Sequence, residues 1–124
     1  MKMNYNHGIM KNIHYFNKYL IRRSNKEPIA YLLGEKEFWS KKFFVNKDTL
    51  IPRPDTELIV ENVLSLTKQK NNIHILDIGV GSGCILLTIL NERKDFYGTG
   101  IDISKNCLKI ANLNATSLKV HSRL

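Results

Sequence analysis

The sequence predicts an α/β protein built on a parallel sheet, and three observations carry that expectation. An apolar run ending in an acid and a glycine-rich turn, ILDIGVGSG, occupies residues 75–83. Apolar residues at helical spacing follow it directly. A second strand-like segment, YGTGIDI, comes next at 97–103. Strand, helix and strand in this order imply a parallel βαβ crossover, and hence a doubly wound sheet.

The elements before and after this unit are read in chain order. From Ile9 to Arg23 the residues Ile9, Ile13, Phe16 and Leu20 recur at helical spacing and predict one short amphipathic helix. RRSNKEPI ends it, because Pro28 disfavours a helical conformation at Glu27 and lacks a backbone donor. In AYLLGEKEFWSKKFFV, residues 30–45, the aromatics and Val45 alternate loosely around Ser40-Lys41-Lys42. With a glycine at one end, this predicts a strand, a short turn and a second strand, a β-hairpin.

LIPRPDTELIVENVLSL, residues 50–66, is stiffened at its start by Pro52 and Pro54. Asp55 or Thr56 is placed to cap a helix, and Glu57 adds negative charge to its first turn. Leu58, Ile59, Val63 and Leu66 then form an apolar stripe, so the helix runs to about Thr67. KQKNN is a polar connector. IHILDIG is a strand whose apolar residues show little alternation, as expected of a strand covered on both faces. A helix follows from about Gly83 to Glu92. After the second strand, Ser104 caps KNCLKIANLNA, where Leu108, Ala111 and Leu113 are expected to face the sheet.

Composition narrows the functional classes. An apolar fraction of 43% over 124 residues predicts one soluble globular domain with a core of its own. No stretch approaches the roughly 18 continuous apolar residues of a membrane helix. The basic N-terminus lacks the apolar core and cleavage site of a secretory signal. Cys84 and Cys107 fall inside predicted helices without CxxC spacing, which suits reduced thiols in the cytoplasm. The net charge of +8 raises the question of a nucleic-acid partner. The lysines are spread along the chain, with only one short pair at Lys41-Lys42, and Lys, Asn, Ile, Tyr and Phe all have AT-rich codons. Base composition alone accounts for such a charge, so neither nucleic acid nor membrane is the expected partner.

The glycine turn holds the most specific chemistry. In parallel sheets, ligands bind beyond the C-terminal ends of the strands, where such a turn opens a helix. Glycines let the backbone approach a ligand, and amides at the helix start supply donors. Gly79, Gly81 and Gly83 form GxGxG, not the dinucleotide GxGxxG, because Cys84 stands where the third glycine would fall. Asp77 ends the first strand, where a carboxylate repels a pyrophosphate but suits a cation. Asp102 ends the second strand, where an acid accepts ribose hydroxyls. S-adenosyl-L-methionine has an ammonium, a sulfonium and no phosphate, and it is the ligand these residues predict.

Beyond that turn the sequence resembles the bacterial and organellar release-factor glutamine N5-methyltransferases, a class I S-adenosylmethionine-dependent family. The resemblance rests on EPIAYLLGEKEFW, FFVNKDTLIPRPDTELIVENVL, ILDIGVGSGCI and GIDIS, and spans about Arg22 to Ala115. LIPRPDTE beside the cofactor turn is its most specific element. It implies a Rossmann-like methyltransferase sheet, here its N-terminal part, preceded by a short helix and a β-hairpin. Residues 1–27 would be a remnant of an N-terminal helical domain, 28–51 the linker and hairpin, and 52–124 an incomplete cofactor-binding domain. Gly79, Val80, Gly81, Ser82 and Gly83 would cradle the methionine part, Asp102 the ribose, and Asp77 would lie near the ammonium. Arg53 to Glu57 should line the same mouth.

The implied reaction is methyl transfer to the glutamine side-chain nitrogen in the GGQ motif of peptide chain release factors, during translation termination. In the family an NPPY motif grips that amide, and this sequence has none: its prolines are Pro28, Pro52 and Pro54. No residue here is therefore assigned as catalytic, and no metal site is expected. The expectation is a truncated chain, inactive alone, or a half-domain completed by a separate C-terminal chain. A sheet of two strands would leave an unpaired edge and uncovered apolar surface.

Overall fold

The computed structural model describes residues 5–124, with side chains from residue 12 onward, so the side chain of Ile9 in the predicted stripe lies outside the described residues. Its elements are helix α1 (Tyr5–Ser24), helix α2 (Ile29–Leu33), strands β1 (Glu35–Phe38) and β2 (Lys41–Phe44), helix α3 (Glu57–Leu66), strand β3 (His74–Ile78), helix α4 (Cys84–Glu92), strand β4 (Tyr97–Ile101) and helix α5 (Lys105–Ser117). Strands β3 and β4 pair in parallel, in register from His74 opposite Tyr97 to Ile78 opposite Ile101. The predicted βαβ crossover is thus observed, with α4 as its helix.

Two glycines the sequence reading did not single out let α4 and the turn before it sit close on the sheet. A methyl group on Gly98 would lie 2.7 Å from a Leu86 methyl and 3.1 Å from one of Leu90. One on Gly100 would lie 2.8 Å from Val80. Leu86, Leu87, Ile89 and Leu90 are consequently buried, together with Phe96, Ala111, Ala115 and Val120. The other face of the sheet contradicts the expectation of two covered sides. Leu76 and Ile78 are 59% and 75% exposed, because all that packs on these strands comes from the α4 side and no described element lies opposite.

Other expectations need correcting in detail. The first helix spans 20 residues and is not short. Residues 29–33, partly read as strand, form α2. The amides of Tyr31 and Leu32 both donate to the Pro28 carbonyl, and Gly34 ends the helix at φ 75°. The hairpin is accordingly shorter. Its turn is Trp39-Ser40, both at positive φ (53° and 54°), not Ser40-Lys41-Lys42, and two-residue hairpin loops favour that geometry.

Neither Asp55 nor Thr56 caps α3 through its side chain. Pro54–Thr56 form a 3-10 turn that runs straight into the helix, so Thr56 is already helical at φ −67°. The buried face of α3 is Val60, with Val63 and Leu64 packed beside it, whereas Leu58, Ile59 and Leu66 are exposed. On α5, Ala111 is buried and Leu108 packs on the core as expected, but Leu113 is exposed. Cys107, Asn114 and Ala115 take the inward positions. The Ser104 cap is present, its hydroxyl accepting from the Cys107 amide at 3.3 Å.

The hairpin shares this core. Phe38 and Phe43, both buried, meet edge to face at 6.1 Å between ring centres. Three polar ties fix it: the Trp39 amide donates to Glu57 at 2.7 Å, Lys41 pairs with Glu92 at 2.9 Å, and the Phe44 amide donates to Asn114 at 2.7 Å.

Candidate ligand-binding turn

The turn from β3 to α4 lies at the C-terminal end of the parallel strands and bonds mainly to the end of β4. The amides of Gly79 and Val80 both donate to the Ile101 carbonyl, at 2.8 and 2.9 Å, which locks the turn to the end of β4. The Gly83 amide donates to the Val80 carbonyl at 2.7 Å. Gly81 donates to Asp102 Oδ2 at 2.9 Å. The donors expected free belong to the start of α4, whereas the amides of Gly79, Val80, Gly81 and Gly83 are engaged within the protein. The turn needs them to hold its own shape, and what it presents outward is bare backbone.

The three glycines serve different ends. All have positive φ, at 84° for Gly79, 55° for Gly81 and 82° for Gly83, a region that side chains rarely adopt. A methyl group on Gly79 would meet nothing within 4 Å, and one on Gly81 only the Gly79 carbonyl at 3.9 Å. These two glycines therefore border open space. Gly83 is buried, and a methyl group there would lie 2.6 Å from Leu87. Its role is close packing of α4, with its carbonyl accepting from Leu87 at 2.9 Å. Val80 and Ser82 are buried too, Val80 under Gly100. Of the five turn residues, Gly79 and Gly81 are the ones that leave room for a ligand.

The two acids differ as sharply. Asp102 braces the turn from β4, Oδ2 accepting from Gly81 and Oδ1 from Ser104 at 2.8 Å. The Ser104 and Gly81 amides hold its carboxyl below the usual carboxylate range. Each oxygen keeps a second lone pair for another donor. Asp77 is half-buried. Burial pushes its carboxyl up, the Leu86 amide at the start of α4 pulls the other way, and the charge of Asp102 raises it further. Among the described residues no cation favours its ionised form. Burial likewise raises the Cys84 thiol, which favours its protonated form over the thiolate.

A hollow of about 450 Å³ opens at this end, lined by Ile78, Gly79, Ile101, Asp102 and Ile103. The structure thus brings together Asp102 and Gly79 at this hollow, with Gly81 bonded to Asp102 beside it and Asp77 near the Leu86 amide at the start of α4. It does not bring Glu57 there, since that carboxylate is spent on the Trp39 amide and borders a separate hollow with Glu37, Ser40 and Lys41. Asn114, which the sequence reading missed, reaches the turn from α5 and donates to the Ser82 carbonyl at 2.8 Å. A lone asparagine in an amphipathic helix gives no sequence signal of such a contact.

The chain is 49% identical over 104 residues to a release factor glutamine methyltransferase of Buchnera aphidicola, covering 84% of this chain and 38% of that one. It is 45% identical over 107 residues to the release factor glutamine methyltransferase of Caulobacter vibrioides, covering 86% and 37%. The chain therefore spans less than two fifths of the length of these relatives. The solved structure of YjhP from E. coli is similar over 59% of this chain and 29% of its own, with 34% identity and a TM-score of 0.50. No protein-family model matches the chain.

Proposed function

We propose, for a chain similar in sequence to part of the release factor glutamine methyltransferases, that its glycine turn binds S-adenosyl-L-methionine. The observation that supports this most directly is the open space beside two left-handed glycines at the strand ends, with the Asp102 carboxylate at the same mouth. Gly79 and Gly81 would take the methionine part against bare backbone. Val80, Ser82 and Gly83 set the shape of the turn from beneath. Asp102 would accept the ribose hydroxyls on its remaining lone pairs, and Asp77 would face the ammonium. When bound, the cofactor supplies an electrophilic methyl group on its sulfonium.

The acceptor in this reading is the glutamine of the GGQ motif in peptide chain release factors, in the cytoplasm. An amide nitrogen is a weak nucleophile, so the acceptor must be held in line with the methyl group, an orientation effect. Residues 1–124 hold no Asn-Pro-Pro-Tyr to do so. We therefore assign them the cofactor side of the reaction and no methyl transfer by themselves. Residues 1–27 correspond to the N-terminal helical part, 28–51 to the linker and hairpin, and 52–124 to the cofactor-binding part.

The uncovered sheet face favours a second, compatible reading, in which a separate chain bearing the acceptor motif completes the fold. Isothermal titration of the purified chain with S-adenosylmethionine is the test, expected to show saturable binding. No heat of binding at millimolar ligand would remove the cofactor assignment. Mass spectrometry of a release factor incubated with chain and cofactor should show no added methyl group, and a methylated GGQ glutamine would overturn the assignment of inactivity.

A further inference from the structure

We infer that Asn114 is a positioning residue of the glycine turn, joining it through one side chain to the hairpin. Asn114 is fully buried on α5. Its Nδ2 donates to the Ser82 carbonyl at 2.8 Å and to the Phe44 carbonyl at 3.0 Å, and its Oδ1 accepts from the Phe44 amide at 2.7 Å. The chemistry allows only this orientation of the amide. Two carbonyls require donors and one backbone amide requires an acceptor, and a flipped side chain would oppose like to like at all three.

The contact falls at the centre of the turn. Ser82 lies between Gly81 and Gly83, at φ 55° and 82°, so the peptide groups here have little steric restraint of their own. Asp102 fixes the turn at the Gly81 amide, and Asn114 fixes it at the carbonyl of the following residue, Ser82. Without the second hold, the peptide between Ser82 and Gly83 keeps only the bond from its Gly83 amide to the Val80 carbonyl at 2.7 Å, and the open space beside Gly81 is less firmly shaped. The other end of the same side chain occupies both polar groups of Phe44, at the free edge of β2. Turn and hairpin, 70 positions from Phe44 to Asn114 and 32 from Ser82 to Asn114, are thus joined through one amide.

This inference rests on the turn being the ligand site, and the experiment separates the two. Asn114→Asp keeps the acceptor for Phe44 but turns lone pairs toward both carbonyls, and Asn114→Ala leaves all three groups unpaired. Amide hydrogen exchange by NMR is measured on wild type and variants, alongside titration with S-adenosylhomocysteine, a stable probe of the same site. The expected result is faster exchange at Gly81 and Gly83 than at Leu87 and Leu90 by a clear margin, with affinity weakened roughly tenfold, on the scale of one lost buried hydrogen bond. Uniform acceleration across the turn and α4, with affinity unchanged, would show a merely structural asparagine and overturn the inference.

If wild type binds no probe yet the turn exchanges selectively faster in the variants, the positioning role stands and the ligand assignment falls. If both variants fail to fold, wild type decides. The Asn114 side-chain protons should exchange together with the Gly81 and Gly83 amides and slow with them on addition of the probe, and exchange independent of the turn would sink the idea.

Discussion

The two faces of the β3–β4 sheet come from the same ten residues and the same period of two, yet their surroundings differ completely. On one face, that of Ile75, Asp77, Gly98 and Gly100, Gly98 lies under Leu86 and Leu90 of α4 and Gly100 under Val80 of the turn before it. On the other, His74, Leu76, Ile78, Tyr97, Thr99 and Ile101 point away from every described element, and four of these six are large and apolar. An exposed apolar face of that kind marks an interaction surface. The comparison teaches that this sequence is composed for cover on both sides, and that the described residues supply it on one.

Breaking the covered face should have the largest effect. Leu86 is fully buried between α4 and Gly98. Leu86→Ala is expected to lower stability by about 2–5 kcal/mol through lost burial and the cavity left behind. Urea denaturation followed by circular dichroism measures it. The matching change on the open face, Leu76→Ala, should shift the midpoint far less, and equal losses at the two positions would show that both faces are packed in solution.

Overpacking the same contact comes next. Gly98→Val places methyl groups where Leu86 and Leu90 already stand, at 2.7 and 3.1 Å from the first added carbon. A loss of about 1–3 kcal/mol is expected, the usual cost of forcing atoms into a filled core. Thr99→Val, one residue along and on the exposed side, should be tolerated in the same assay.

These neighbouring positions also show where sequence reading succeeds and where it stops. The βαβ order was legible because apolar period, glycine turn and Ser104 cap all point one way along the chain. The left-handed glycines were legible as a turn, but not their division between Gly79 and Gly81 at open space and Gly83 against Leu87. That division depends on where α4 lies, which is a tertiary fact. The apolar run of β3 was read as covered on both faces because sequence records the surface a strand is composed for, not which cover is at hand. Asn114 and the Glu57–Trp39 tie were invisible for the same reason, since their partners are 70 and 18 residues away.

The acids at the two strand ends sharpen the comparison through pH. Burial raises the Asp77 carboxyl above its ordinary value of 3.8, so the folded chain holds that proton more tightly than the unfolded one. Its contribution favours folding at acid pH and is lost as pH rises through the raised value. Asp102 has the opposite sign: the Ser104 and Gly81 amides favour its charged form, so its contribution is present above 3.8 and lost as pH falls through the lowered value. Asp77→Asn should therefore raise stability at neutral pH, with the gain fading in acid, while Asp102→Asn should lower it at neutral pH, with the loss fading in acid. Urea midpoints of the three proteins across that range test both, and parallel pH profiles would contradict the assignment.

The smallest effect is expected on the open face itself, and it is the one that tells whether that face has a partner. Ile78 is 75% exposed, so in the chain alone Ile78→Ser removes little buried surface and should change stability by no more than about 0.5 kcal/mol. Association should respond instead. Sedimentation velocity over a range of concentrations is expected to show wild type self-associating through its apolar face, and Ile78→Ser doing so less. If a polypeptide bearing the remaining part of the relatives' sequence is added, wild type should form a complex that melts as one unit, and the serine variant should bind it more weakly. A variant that matches wild type in both experiments would mean that the face is tolerated as bare surface, and the case for a completing chain would lose its structural support.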